Sequence, residues 1–257
     1  MTSIACLIPA RMESQRYPGK ALAIIEDQAM VIRCARNAMN AGLKTWVCTD
    51  SELIENVCMQ TSVRVIKTPS CSTGTDRCAW AIQHVEATHI IILQGDEPLV
   101  QPEALNLFRE KVQNCNQPNI LFNGVTELAG TSFSDQNVVK ASCHRDTSIN
   151  NLTRTVDHTH RKRWKRQMGL YGGSINSFIN FAQLPATSAE QQNSIEMLRW
   201  IDHGHPLCPV ELADAPYSVD TPEDMKKCHS FLSEQRLLAG TDTRTKPLSP
   251  QTEGVHP

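Results

Sequence analysis

The 257 residues carry 27 acidic and 25 basic side chains, for a formal charge of −2, and 40% of them are hydrophobic. That content can build a sizeable core, and the length suits one α/β domain with an insertion or subdomain. Near-neutrality provides no global field for nucleic acid or an anionic membrane, so any anionic ligand must be held by a local site.

In chain order, Ser3–Pro9 reads as a buried strand running into a loop. Ala29–Ala41 has helical spacing with Gly42 as its stop. Thr45–Thr49 is a second strand, Glu52–Met59 a short helix and Arg64–Lys67 a third strand. Asp76–Val85 is helical, His89–Leu93 is a strongly apolar fourth strand, and Pro102–Val112 is a helix. This alternation predicts parallel strands with crossover helices covering both sheet faces. Beyond residue 118 the pattern changes. Ile120–Thr126 and Val138–Cys143 read as strands without a helix between them, and residues 144–166 are polar and basic. An antiparallel insertion is expected at about 120–166. Met168–Tyr171 resumes a strand, Ile175–Ala182 and Ile195–His203 are helical, and Leu207–Leu212 is strand-like. Pro222–Leu238 is a final helix with Thr221 as its cap. The domain is expected over residues 1–239. The tail 240–257, rich in Thr, Pro, Ser and Gly, is expected to be disordered.

The opening run Met1–Pro9 has no basic leader, and no stretch approaches a membrane span, which predicts a cytoplasmic protein. Ten cysteines include no Cys-x-x-Cys pair. They read as small core residues in a reducing compartment rather than zinc ligands.

Ligands on such sheets sit past the carboxyl ends of the strands. After the first strand, Arg11, Arg16 and Lys20 cluster on a loop with Pro18-Gly19. Forked guanidinium groups and a point charge suit a polyphosphate, and the loop lacks the P-loop pattern. A solvated basic loop is the plain alternative. Ser72-Thr73-Gly74-Thr75-Asp76-Arg77 opens a helix whose first N–H groups suit a base edge or phosphate; Asp76 as a simple cap is equally open. The fourth strand ends in Gln94-Gly95-Asp96-Glu97. Adjacent carboxylates after a buried strand are costly unless a cation meets them, and Mg2+ takes one or two carboxylates with phosphate oxygens and water. Asp96 is the leading ligand. Asp220, in Ser218-Val219-Asp220-Thr221, is a second ligand or part of the helix cap. These pieces fit attack on the α-phosphorus of a triphosphate, which needs positioning and charge neutralisation.

Five segments in this order and spacing resemble the 3-deoxy-manno-octulosonate (Kdo) cytidylyltransferase, or CMP-Kdo synthetase, family across about residues 3–235. They are Arg11–Lys20, Ser72–Arg77, Gln94–Leu99, Asn137-Val138-Val139-Lys140 and Val219–Asp224. The resemblance implies a Rossmann-like nucleotidyltransferase (GT-A-like) core and a homodimer paired partly through the insertion. It implies that Arg11 and Lys20, with Asp96 and Asp220 on Mg2+, carry the transfer of CMP from CTP. Ala10, Arg11, Arg16, Lys20, Thr73, Gly74, Asp76 and Arg77 would contact the nucleotide, and Gln94 the sugar.

The acceptor half departs from the family. Gln167 stands where a His is usual, Gly172-Gly173-Ser174 where Ala-Tyr-Arg follows, and Asn193 and Met197 where a Glu and a Gln are usual. Gln167 can still hydrogen-bond the acceptor. Gly172-Gly173 is expected to leave extra room, and Arg154 or the basic 161–166 run to meet an acid group. A solvated loop is the blander reading of that run. Three other functions stay open: a cytidylyltransferase for a different small anion, a sugar-1-phosphate nucleotidyltransferase using UTP or GTP, and a nucleotide-binding paralogue without catalysis.

Overall fold

A computed structural model describes residues 2–115, 117–128, 130–144, 147–156, 164–213 and 217–241. The elements in chain order are β1 (Ile4–Pro9), the ribbon of β2 (Ile24–Ile25) and β3 (Gln28–Ala29), α1 (Met30–Asn40), β4 (Lys44–Thr49), α2 (Glu52–Gln60), β5 (Arg64–Lys67), α3 (Gly74–Ala81), β6 (His89–Leu93) and α4 (Pro102–Gln113). There follow β7 (Leu121–Glu127), β8 (Lys140–His144), β9 (Ser148–Thr153), β10 (Trp164–Ser174), α5 (Ile175–Gln183), α6 (Ser188–Asn193), α7 (Met197–Asp202), β11 (Leu207–Glu211) and α8 (Pro222–Thr241).

The strands form a sheet in the order β5-β4-β1-β6-β10-β7-β11. β5, β4, β1 and β6 are parallel, as the alternation predicts, and β10 runs antiparallel between β6 and β7. β8 and β9 extend from β10 as an antiparallel pair. β7 itself is a strand of the main sheet, paired in parallel with β11. The strands that leave that sheet are therefore β8 and β9 rather than everything from residue 120.

Alternation along β1 sets the two cores. Cys6 and Ile8 pack with Val31, Ile32, Leu105 and Phe108 on one face. Ala5 and Leu7 pack with Cys78, Phe178, Phe181 and Trp200 on the other. A strand covered on both faces must be apolar at every position, which is why its sequence hardly alternates. Fully burying a side chain such as Phe108 contributes about 2–3 kcal/mol. A third cluster joins Met225, Cys228 and Leu232 of α8 to Ile25, Met30, Leu99 and Val219. The 3- and 4-residue spacing puts the first three on one helical stripe. This docking holds the segment before α8 against the carboxyl end of β6.

Several elements differ from the sequence expectation. α3 starts at Gly74, with Thr73 as its N-cap, because the Thr73 hydroxyl accepts from Asp76 N. β9, α6 and the β2–β3 ribbon are additional, and β10 is far longer than Met168–Tyr171. The basic run is not one solvated loop. Trp164–Arg166 opens β10, where Lys165 pairs with Glu211 and Arg166 is buried; residues 161–163 lie outside the described residues. Thr221 caps α8 as expected, in a reciprocal box with Asp224. α8 reaches Thr241, and the rest of the tail lies outside the described residues. All ten cysteines are free thiols, six of them buried.

Candidate active site

The loops at the carboxyl ends of β1, β5 and β6 open onto one cleft of about 940 Å3, walled on its far side by β10, the 136–139 segment and α6–α7. Of the expected site residues, Ala10, Arg11, Arg16, Lys20, Thr73, Gly74, Arg77, Gln94, Asp96, Arg154, Gln167 and Asp220 line it. Asp76 stands just behind, at the base of α3.

The charged centre is compact. Lys20 Nζ donates to Asp96 Oδ2 at 2.7 Å and to Asp220 Oδ1 at 2.9 Å. Arg16 donates to Asp220 Oδ1 at 2.8 Å and to Asn137 Oδ1 at 2.7 Å. Burial alone would lower the Lys20 pKa, but Asp96 and Asp220 more than offset it and raise the pKa above its ordinary value. Asp96 and Asp220, 124 positions apart in sequence, are linked here through a backbone bond, Val219 N to Asp96 O at 2.9 Å. From α1, Arg33 and Asn37 donate to the carbonyls of Pro98 and Val100 and brace the loop after Asp96. The Asp220 side chain thus lines the cleft, while Thr221 and Asp224 form the helix cap, to which Asp220 gives only its N–H, at 3.3 Å from Asp224 Oδ2.

Glu97, next to Asp96, does something different. It is 2% exposed and receives Arg166 Nη2 at 3.2 and 3.1 Å and Gly169 N at 2.7 Å. Burial pushes its pKa up, against the opposing pull of Arg166. The pair ties β10 to the end of β6; all three side chains line the cleft, with Asp96 the more exposed of the two carboxylates.

At α3 the structure corrects the reading of free N–H groups. Glu196 accepts from Gly74 N at 3.1 Å and from Thr75 N at 2.9 Å, placing a carboxylate on the positive end of the helix. Burial raises the Glu196 pKa, and these bonds oppose the rise. Asp76 is not a cap; it is gripped by Arg199, which also binds Glu190. Arg77 is 3% exposed and turns to Asp50 and Thr68.

Two further corrections concern the residues expected to meet the acceptor. Arg154 does not present a free fork. It donates to the carbonyls of Asn193, Gln136, Asn137 and Ser194 at 2.8–3.1 Å. It has no carboxylate partner among the described residues, so its charge, though not its geometry, remains available to the cleft. Gly172 and Gly173 leave no room. A Cβ at Gly172 would lie 2.4 Å from Val112 Cγ2 and 2.7 Å from Phe108 Cε1, and one at Gly173 would lie 2.7 Å from Leu121 Cδ2. The space given up by the glycines is filled by the core, and neither residue lines the cleft.

Sequence reasoning missed Asn123, Asn137, Glu190, Glu196 and Arg199 as organising groups. A lone Asn inside the apolar run Leu121–Val125 was a signal, since a buried amide must be satisfied.

A family model described as cytidylyltransferase matches residues 5–200. With the fold and the cleft, that defines the class: a cytidylyltransferase, built as a nucleotidyltransferase. The 3-deoxy-manno-octulosonate cytidylyltransferase of Wolinella succinogenes is 31% identical over 86% of this chain and 96% of its own length. That of Porphyromonas gingivalis is 28% identical over 92% and 99%. The solved structure of CMP:2-keto-3-deoxy-manno-octonic acid synthetase complexed with CTP matches with a TM-score of 0.82 at 26% identity, covering 91% of this chain and all of that one. The chain belongs to the 3-deoxy-manno-octulosonate cytidylyltransferase family. No helix among the described residues is long and apolar enough to cross a membrane.

Proposed function

We propose that this chain transfers CMP from CTP to Kdo or a closely related acid sugar and releases pyrophosphate, with Mg2+ held by Asp96 and Asp220. The observation that carries this reading is the convergence of both carboxylates on one nitrogen, Lys20 Nζ, at 2.7 and 2.9 Å. Two carboxylates facing one point fit a cation that takes one or two protein carboxylates and completes its shell with phosphate oxygens and water. When bound, the ion would neutralise charge developing on the triphosphate.

The chain's own residues do the rest. Arg11, Arg16 and Lys20 supply positive charge along the phosphates, and Lys20 exchanges a carboxylate partner for a phosphate oxygen as CTP enters. Gln94, whose amide makes no protein hydrogen bond among the described residues, meets the sugar. The unpaired charge of Arg154 attracts the acid. The sugar's anomeric hydroxyl attacks the α-phosphorus, and pyrophosphate leaves on the opposite side. The family resemblance further supports a homodimeric cytoplasmic enzyme serving lipopolysaccharide biosynthesis.

The test is pyrophosphate release from CTP with Mg2+, using Kdo beside a panel of other sugar acids and small anions, with UTP as the control nucleotide. Fast release with Kdo and CTP is expected. Release only with another acid keeps the chemistry and reassigns the acceptor; silence with every acid rejects the catalytic reading.

A further inference from the structure

The position that distinguishes this acceptor pocket is Gln167, and its surroundings fix which end of its amide faces the cleft. β10 bulges beside β7: Gln167 to Tyr171 spans four steps against the two from Val125 to Asn123. A bulge orphans ladder groups. Here the carbonyls of Met168 and Leu170 are recovered by Asn123, whose Nδ2 lies 2.9 and 3.0 Å from them and 3.1 Å from Gly124 O. Only an NH2 group can face three carbonyls, so the orientation of the Asn123 amide is determined by its neighbours. Its Oδ1 therefore points the other way and takes Gln167 Nε2 at 2.9 Å. Gln167 cannot flip without setting two oxygens face to face.

What remains is Gln167 Oε1. Gln167 lines the cleft with 9% of its surface exposed. Among the described residues the fully buried side-chain polar atoms without a partner are Thr75 Oγ1 and Asn106 Oδ1, so Oε1, which has no protein donor among them, is reached from the cleft. We infer that Gln167 is a specificity residue that presents a hydrogen-bond acceptor to the acid sugar and so reads a donor on it, a hydroxyl or an amino group. Oε1 repels a carboxylate, which the Arg154 charge attracts instead. The inference rests on the proposed function and deepens it.

The experiment measures kcat/KM by pyrophosphate release for Kdo and its monodeoxy, monofluoro and monoamino analogues. It compares the unaltered protein with Gln167→Met and Gln167→His. The unaltered protein is expected to lose about ten- to hundredfold on the one analogue lacking the donor that Oε1 reads. Gln167→Met should bring that ratio to within about threefold while leaving the KM for CTP unchanged. Gln167→His is the conservative variant. A neutral imidazole can donate to Asn123 and present a bare nitrogen to the cleft, so discrimination should survive above the ordinary imidazole range near 6.5 and vanish below it. An amino analogue preferred by the unaltered protein but not by Gln167→Met identifies the donor as an amine; equal loss on the deoxy and fluoro analogues identifies a hydroxyl. An unchanged selectivity profile in Gln167→Met, or no discrimination by the unaltered protein, overturns the inference while leaving Kdo turnover intact. Absence of turnover with every acid overturns the function itself.

Discussion

The two walls of the cleft are built on opposite principles. On the wall formed by the loop after β1, the end of β6 and the segment before α8, charged side chains meet each other: Lys20 with Asp96 and Asp220, and Arg16 with Asp220. On the opposite wall, built on β10 and its neighbours, charged and amide groups are committed to backbone, as with Arg154 on four carbonyls and Asn123 on three. Partly solvated ion pairs are worth little and can be exchanged for a ligand. Satisfied buried networks are costly to open and hold a shape. One wall is suited to exchange its ion-pair partners for a ligand's charge, and the other to keep its shape.

The largest expected effect lies on the exchangeable wall. Asp96→Asn should cut pyrophosphate release by roughly three orders of magnitude or more with an unchanged melting temperature. Near-normal turnover in that variant would remove Asp96 from the chemistry. On the rigid side, Arg166→Met leaves Glu97 as a buried carboxylate without its cation, at 3% side-chain exposure. A loss of about 3–5 kcal/mol in denaturant unfolding is expected. A change below about 1 kcal/mol would mean that Glu97 is satisfied without Arg166.

Gly172→Ala comes next and separates packing from pocket shape. The new methyl meets Val112 and Phe108, so a destabilisation of about 1–3 kcal/mol is expected. The KM for the acceptor should not move in the folded fraction; a raised KM would put position 172 back in the pocket. The smallest effect is on pH dependence. Burial raises the folded pKa of Glu196 above the unfolded value. Its contribution to stability is therefore fully present below the ordinary glutamate pKa, about 4.3, and is lost as pH rises through the folded value. The melting-temperature difference between Glu196→Gln and the unaltered protein should shift in favour of the variant from pH 4 to 7. A shift in the other direction would show that the α3 N–H groups, not burial, dominate.

The sequence by itself determined the parallel half of the sheet, the order of the loops and the residues at the strand ends. Those features are local: apolar runs set the strands, and Asp96 follows β6 whatever else the chain does. It also showed Asp220 before a helix, but not what that residue meets; the docking of Met225, Cys228 and Leu232 and the backbone bond from Val219 to Asp96 bring it to Lys20. Long-range geometry likewise decided that Glu196 takes the first N–H groups of α3, that Glu97 is held by Arg166 while Asp96 meets Lys20, and that the space beside Gly172 belongs to the core. The polarity of Gln167 was beyond any reading of sequence. An amide carries a donor and an acceptor, and only the bulge of β10 and the carbonyls around Asn123 select which one faces the substrate.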